Sequence, residues 1–235
     1  LLRGTRVVLW TMDLYPEVAI AYGFIKPGRP LGRLMAWLSR RLYRCASKVI
    51  ALGEVMARRL AEAGADPAAI ETVHNWVPGE IVSPMPPEKS KARRKWNKDG
   101  RVTLMYSGNL GVGHELDTVL HAANRLDRGA NLRLLFVGEG KMRARLIALA
   151  CELGLDNVGF CPPQPLAALS DSLAAGDIHL ISQRGGTEGL IVPSKLYGIM
   201  AAGRPVVFIG PDHCEVARII RDSGLGIIVA CGDCE

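Results

Sequence analysis

No apolar run in this 235-residue chain approaches the roughly 20 residues that cross a bilayer, which excludes a spanning helix. No Asp-x-Asp pair is present, so the carboxylate clamp that often holds a divalent ion on a phosphate is missing and no metal is expected. No G-x-G-x-x-G opens a helix after a strand, which argues against a dinucleotide-dependent oxidoreductase. No loop ends in Gly-Lys-Ser/Thr, so the chain has no P-loop. Of the six cysteines only Cys231 and Cys234, in "CGDC", have a metal or redox spacing. A zinc site needs a second ligand pair and a redox pair needs a helix to follow, so reduced cytoplasmic thiols are expected. The chain has no evident signal peptide, and it begins "LLRGTRVVLW", without methionine and almost directly in a strand, which reads as the middle of a protein.

What is there describes a globular protein with a sizeable core, 49% hydrophobic and 22% charged. The net charge of +6 suits an anionic partner such as a nucleotide or a phospholipid surface. Strand-like runs alternate with amphipathic helical ones: "RVVLW", "SKVIALG" and "IETVHNWV" early, then "VTLMYSG", "NLRLLFVG", "NVGFCP", "DIHLIS", "PVVFIG" and "LGIIVA". That alternation predicts an α/β fold of two Rossmann-like, doubly wound parallel sheets, the first incomplete. Residues 1–82 are expected to form the first domain and 101–235 the second. Between them 83–100, rich in proline and basic residues, reads as a linker.

In such sheets ligands bind beyond the carboxyl ends of the strands. The stretch "TEGLIVPSKLYGIMAAGRPVVFIG", Thr187 to Gly210, puts Ser194 and Lys195 at the start of a short helix ended by Gly203. Unpaired backbone N–H groups and the lysine favour an anion there, with Glu188 a few residues away. "YSGNLGVGHE" sets Gly108, Gly111 and Gly113 between a strand and a helix, where small residues let a phosphate approach the backbone. "VGEGK", ending in Lys141, reads as easily as a plain turn.

Taken together, "MYSGNLGVGHELDTVLHAA", "LLFVGEGKMRARLIALACELGLDNVGF" and "EGLIVPSKLYGIMAAGRPVV" resemble the C-terminal domain of retaining, GT-B-fold glycosyltransferases of family 4. Within that family the "PSKLYGIMAAGRP" version looks like the polysaccharide-biosynthesis branch related to colanic acid and other envelope sugar transferases. The resemblance implies a nucleotide-diphosphate sugar as donor substrate, with no further cofactor. It implies that the loop from Gly108 to Gly113 lies on the diphosphate, that Lys195 neutralises it and that Ser194 donates to it. Glu188 would face the donor sugar, and Phe160 and Cys161 would edge the base through main-chain groups. The family's usual second glutamate is replaced by Gly198, and two usual cations by Asn109 and His114. Lys195, Arg184 and a protonated His114 are then expected to supply the charge, with Lys141 a further donor-binding candidate. Asp13, at the end of "VVLWTMD", either touches a sugar across the cleft or caps the helix that follows.

The expected reaction is transfer of a sugar to an envelope-polysaccharide or polyprenyl-linked acceptor, without nucleic acid. A nucleotide-sugar-binding module without transferase activity and a GT-B-fold epimerase are the alternatives. In "RPLGRLMAWLSRRLYR", Leu31, Leu34, Met35, Leu38 and Leu42 share a helical face expected to pack on a sheet. Arg33, Trp37, Arg40 and Arg44 lie opposite, which suits an anionic bilayer at the inner face of the plasma membrane.

Overall fold

The computed structural model describes residues 5–26, 28–126 and 130–234. They form two compact units. The first comprises residues up to Asn75 together with Gly185–Val192 and His213–Arg218; the second comprises Trp76–Arg184, Pro193–Asp212 and the chain from Ile219 onward.

The first unit is built on a parallel sheet of three strands: β1 (Val8–Trp10), β2 (Lys48–Ala51) and β3 (Ile70–Thr72), in that order. Helices α1 (Glu17–Ala21) and α2 (Pro30–Cys45) join the first two strands, and α3 (Glu54–Glu62) joins the second to the third. Pro30 opens α2, where its missing N–H costs nothing and its fixed φ is already helical. The leucine face expected to pack on a sheet is not covered. Leu31, Leu34, Leu38 and Leu42 are exposed, and the buried residues of α2 are Gly32 and Tyr43. The helix is seated by its small-residue side: Gly32 leaves 3.3 Å between a would-be Cβ and Ile25, and Ser39 donates to the Tyr15 carbonyl at 2.8 Å.

The second unit carries β4 (Val102–Ser107), β5 (Leu132–Val137), β6 (Val158–Cys161), β7 (Ile178–Ser182), β8 (Val206–Ile209) and β9 (Gly226–Val229). All neighbours are parallel and the order is β6-β5-β4-β7-β8-β9, the doubly wound arrangement in which strand order reverses between β4 and β7. Its crossovers contain α5 (Asp117–Arg125), α6 (Arg143–Glu152), α7 (Leu169–Leu173), α8 (Lys195–Ala201) and α9 (Glu215–Ser223), whose residues up to Arg218 belong to the first unit.

Successive strand residues face opposite ways, and both faces of this sheet are apolar. Tyr106, Leu134 and Phe136 enter one core with Leu120 and Leu146, while Met105, Leu135 and Val137 enter another with Leu173 and Ala202.

The segment expected to be a linker is folded. Residues 91–96 form α4 (Lys91–Trp96), capped by the Ser90 hydroxyl, which accepts from the Arg93 N–H at 2.9 Å. The Asp171 carboxylate of α7 accepts from the Lys91 and Ala92 N–H groups at 2.7 and 3.1 Å. Arg93 pairs with Asp177 at 2.8 Å. Its charges made this stretch read as a spacer, but capping and ion pairing tie it to the second unit, where Ala92 joins the core.

Candidate functional site

Beyond β4 the chain runs through Gly108 to Gly113, and beyond β5 through Gly138 and Gly140. The two loops are laced together. The Gly108 N–H donates to the Val137 carbonyl at 2.9 Å, the Leu110 N–H to Glu139 at 2.8 Å, and the Met142 N–H to Leu110 at 2.9 Å. A Cβ on Gly138 would stand 1.9 Å from the Gly108 carbonyl oxygen, and one on Gly140 would stand 2.3 Å from that of Leu110. Both glycines also have φ near +150°, which side chains disfavour. "VGEGK" is therefore more than a turn: its glycines let the neighbouring glycine loop pack directly on it. Sequence reading passed over Gly138 and Gly140, because the contact that demands them is 30 residues away in the chain.

A cavity of about 360 Å³ opens beside these loops, lined by Ser107, Gly108, Asn109, Gly138, Gln164 and Ser172 among others. Phe160 stacks on Phe136 at 5.1 Å within the core, and the Cys161 carbonyl accepts from the Gly138 N–H at 2.9 Å. The wall of the cavity is supplied a little further along, by Pro163 and Gln164.

Lys195 opens α8 and turns its ammonium onto Tyr106, 3.7 Å from the ring centroid, donating to the phenol oxygen. The phenol in turn donates to the Asn109 carbonyl at 2.7 Å. On the other side the ammonium lies against Gly108, where an added Cβ would stand 3.4 Å away. No carboxylate pairs with Lys195 among the described residues. Burial lowers its pKa to about 7, and burial also pushes the Tyr106 phenol up, so the phenol stays protonated.

His114 follows the glycine loop with Nδ1 2.9 Å from the Ser182 carbonyl. A carbonyl only accepts, so Nδ1 carries a hydrogen, and in the neutral ring Nε2 then keeps its lone pair. Burial, aided by the Lys195 charge, lowers the His114 pKa to about 4. The protonated His114 expected from sequence is thus corrected. It is neutral at pH 7, because its ring is buried beside the Lys195 charge. The edge of its ring meets Tyr106, with centroids 5.5 Å apart.

Ser194 is exposed and makes no side-chain cap, and the Leu196 and Tyr197 N–H groups close turns onto Pro193 and Ser194 at 3.3 and 3.2 Å. The Gly113 carbonyl accepts from the Arg184 N–H at 3.0 Å, while Asn109 crowds Gly111, whose would-be Cβ stands 3.0 Å from its amide nitrogen. The side chains of Arg184 and Lys141 are exposed.

The first unit gathers the two candidate carboxylates. Asp13 and Glu188 each form a bridge with Ile191, and the Leu14 N–H donates to the Leu190 carbonyl at 2.9 Å. One carboxylate oxygen of Glu188 accepts from the Gly186 N–H at 3.0 Å, and its carbonyl accepts from Arg59 at 3.2 Å. Asp13 does not cap α1: the cap position is Pro16, with no side-chain bond. Burial raises the Asp13 pKa above the usual carboxylate value. Glu215, which sequence reading missed, is 2% exposed. It accepts from the Val55 N–H at 3.3 Å and pairs with Arg218, serving α3 where Gly53 offers no capping side chain. The glycine before "EVMARRL" was the available signal, since a bulkier residue there would strike Glu215.

Residues 88–235 match the family model described as glycosyl transferases group 1, and residues 1–76 match a glycosyl transferase 4-like domain. The probable glycosyltransferase WbjE of Pseudomonas aeruginosa is 28% identical over 223 residues, which is 95% of this chain and 56% of that protein. The putative colanic acid biosynthesis glycosyl transferase WcaI of Escherichia coli is 29% identical over 224 residues, 93% of this chain and 54% of its own. The chain spans about half the length of the curated relatives it matches. Anabaena HepE, solved in complex with UDP and glucose, superposes with a TM-score of 0.76 at 16% identity, over 97% of this chain and 59% of its own. WaaG, a glycosyltransferase involved in lipopolysaccharide biosynthesis, gives 0.68 at 20% identity, over 95% and 61%. At these identities the likeness is one of fold, that of the GT-B glycosyltransferases.

Proposed function

The chain belongs to the glycosyl transferases of group 1, and from that premise we propose that its second unit holds a nucleotide-diphosphate sugar whose glycosyl group passes to an acceptor hydroxyl. The observation that carries this reading is the Lys195 ammonium. It lies half-buried beside the glycine loop at the strand-order reversal, with a phenol for a partner and, among the described residues, no carboxylate. An ammonium offers three hydrogens and Tyr106 takes one, so two remain for an anion. The positive net charge and the relatives' names support the same reading.

In the reaction we envisage, the bond between the anomeric carbon and the diphosphate breaks as negative charge grows on the leaving oxygen. Lys195 and N–H groups of the glycine loop other than those of Gly108 and Leu110, which are donated to Val137 and Glu139, meet that charge and lower the barrier electrostatically. The chain's lack of an Asp-x-Asp pair leads us to assign this work to side chains and backbone instead of a metal. Neutral His114 would offer Nε2 as an acceptor to a sugar or ribose hydroxyl. The carboxylates of Glu188 and Asp13 are assigned to sugar hydroxyls on the donor and acceptor sides. Retention of the anomeric configuration and an envelope-polysaccharide or lipid-linked acceptor complete the proposal.

We further assign α2 to the cytoplasmic surface of an anionic membrane. Trp37 is 59% exposed, and Leu31, Leu34, Leu38 and Leu42 are exposed with it, flanked by Arg33, Arg40, Arg41 and Arg44. An apolar stripe beside a basic one is the pattern of an interfacial helix.

The test is titration calorimetry with UDP and GDP. Losing a charge-assisted contact to phosphate costs about 1.5–3 kcal/mol, roughly ten- to a hundredfold in affinity. Lys195→Ala should lose that much and Lys141→Ala far less. Equal affinities for the two variants would remove Lys195 from the site. Release of nucleoside diphosphate from sugar nucleotides, with and without a lipid-linked acceptor, separates a transferase from a binding module.

A further inference from the structure

We propose that Tyr106 is the positioning residue of the anion site, its phenol fixing the Lys195 ammonium against the glycine loop so that two of the three ammonium hydrogens face the incoming phosphate. The inference rests on the anion-binding reading above and adds a residue that no sequence pattern marked. Tyr106 lies on β4 and is almost wholly buried, its ring packed with Phe136 in the core, so the ring cannot drift. Its hydroxyl is fixed as well, because it donates to the Asn109 carbonyl at 2.7 Å. With its own hydrogen committed, the phenol oxygen can only accept from Lys195. One residue therefore connects the loop backbone at Asn109 to the cation at Lys195, and the ring face 3.7 Å below adds a cation–π attraction.

Among the described residues no carboxylate takes the place of the phenol in holding that lysine. His114 also lies near it, but its Nδ1 is committed to the Ser182 carbonyl and no hydrogen bond joins the ring to the ammonium. Glu139, on the neighbouring loop, is exposed and engaged with Arg143 at 3.5 Å. A carboxylate in place of the phenol would hold the lysine better but would cancel its charge and repel a diphosphate. A phenol orients the ammonium without neutralising it. That is the chemical reason for a tyrosine here.

The experiment follows Lys195 directly, by ¹³C NMR of the whole chain labelled at lysine Cε, which reports the ammonium's titration without any ligand. In the unliganded wild type the midpoint should lie near 7. Tyr106→Phe keeps the ring and removes the acceptor, and should lower the midpoint by about one pH unit, the equivalent of one hydrogen bond to a charged group. Should that variant fold poorly, uniform replacement of tyrosine by 3-fluorotyrosine, whose phenol oxygen is a weaker acceptor, should shift the midpoint in the same direction. An unchanged midpoint in the folded Tyr106→Phe or fluorinated protein overturns the positioning role. Added inorganic pyrophosphate should raise the wild-type midpoint and raise it less in Tyr106→Phe. If pyrophosphate moves neither midpoint, the anion-site reading fails, and the positioning of Lys195 by Tyr106 is still decided by the unliganded titration.

Discussion

At the residue scale the molecule turns on close approaches that a single added carbon would destroy. Gly138 is one such case at the candidate site, with its would-be Cβ 1.9 Å from a backbone oxygen of the loop it supports. Neither backbone can give way without breaking the Gly108 to Val137 hydrogen bond. Gly154 has positive φ too, +63°, but open space around it. Gly154→Ala should therefore cost only the left-handed strain, about 1–2 kcal/mol. Gly138→Ala should cost clearly more, about 3 kcal/mol or above, and should also abolish nucleoside-diphosphate binding because the glycine loop is displaced. Urea midpoints for the two variants check this, and equal losses would show that the loops can part without harm. The glycine loop after β4 was legible in the sequence, since glycines between a strand and a helix mark a phosphate-compatible turn. Gly138, Gly140 and Tyr106 were not. The first two answer to a contact distant in sequence, and a tyrosine within a buried strand reads as core, which it also is.

At the element scale, hydrophobic period located nearly every strand and helix of the second unit, because both faces of its sheet must be apolar. Period alone could not say which face of α2 is covered. The helix has leucines on one side and glycine, alanine, serine and tyrosine on another, and backbone proximity favoured the small side. The exposed leucines then stand beside the arginines and Trp37, so the basic face expected from sequence is present but the apolar face lies open next to it. An open apolar stripe strengthens the membrane assignment and gives it a quantitative form. Co-sedimentation with liposomes should rise with anionic lipid and fall with salt, by about 1 kcal/mol for each arginine near the surface. Trp37→Ser should weaken binding at all lipid compositions, and Arg40→Ser only on anionic ones. If both variants sediment like the wild type, the stripe serves another surface. The α4 segment teaches the complementary lesson. Its prolines and charges imitate a linker, and only the distant Asp171 and Asp177 reveal it as folded.

At the scale of the whole molecule, the groups that shape the candidate site also set how stability responds to pH. His114 and His179 are both held neutral, with pKa values near 4 caused mainly by burial, below the ordinary 6.5. His179 is fully enclosed, its Nε2–H donating to the Leu173 carbonyl at 2.9 Å. A histidine whose folded pKa is depressed binds its proton more readily in the unfolded chain. Its contribution is thus complete above about pH 6.5 and drains away as pH falls toward 4. Lys195 works in the same sense on the alkaline side. Its pKa falls from 10.5 to about 7, so its buried charge penalises folding below pH 7 and the penalty lifts as pH rises toward 10.5. A phosphate at the site would hold the ammonium charged and remove that lift. Urea unfolding of the wild type should therefore show midpoints that drop steeply between pH 6.5 and 4. The double variant His114→Gln, His179→Gln should start lower at pH 7.5 and lose distinctly less over the same interval. Parallel acid limbs for the two proteins would mean that the histidines titrate alike folded and unfolded. The neutral imidazole assigned to the donor site would then have to be withdrawn.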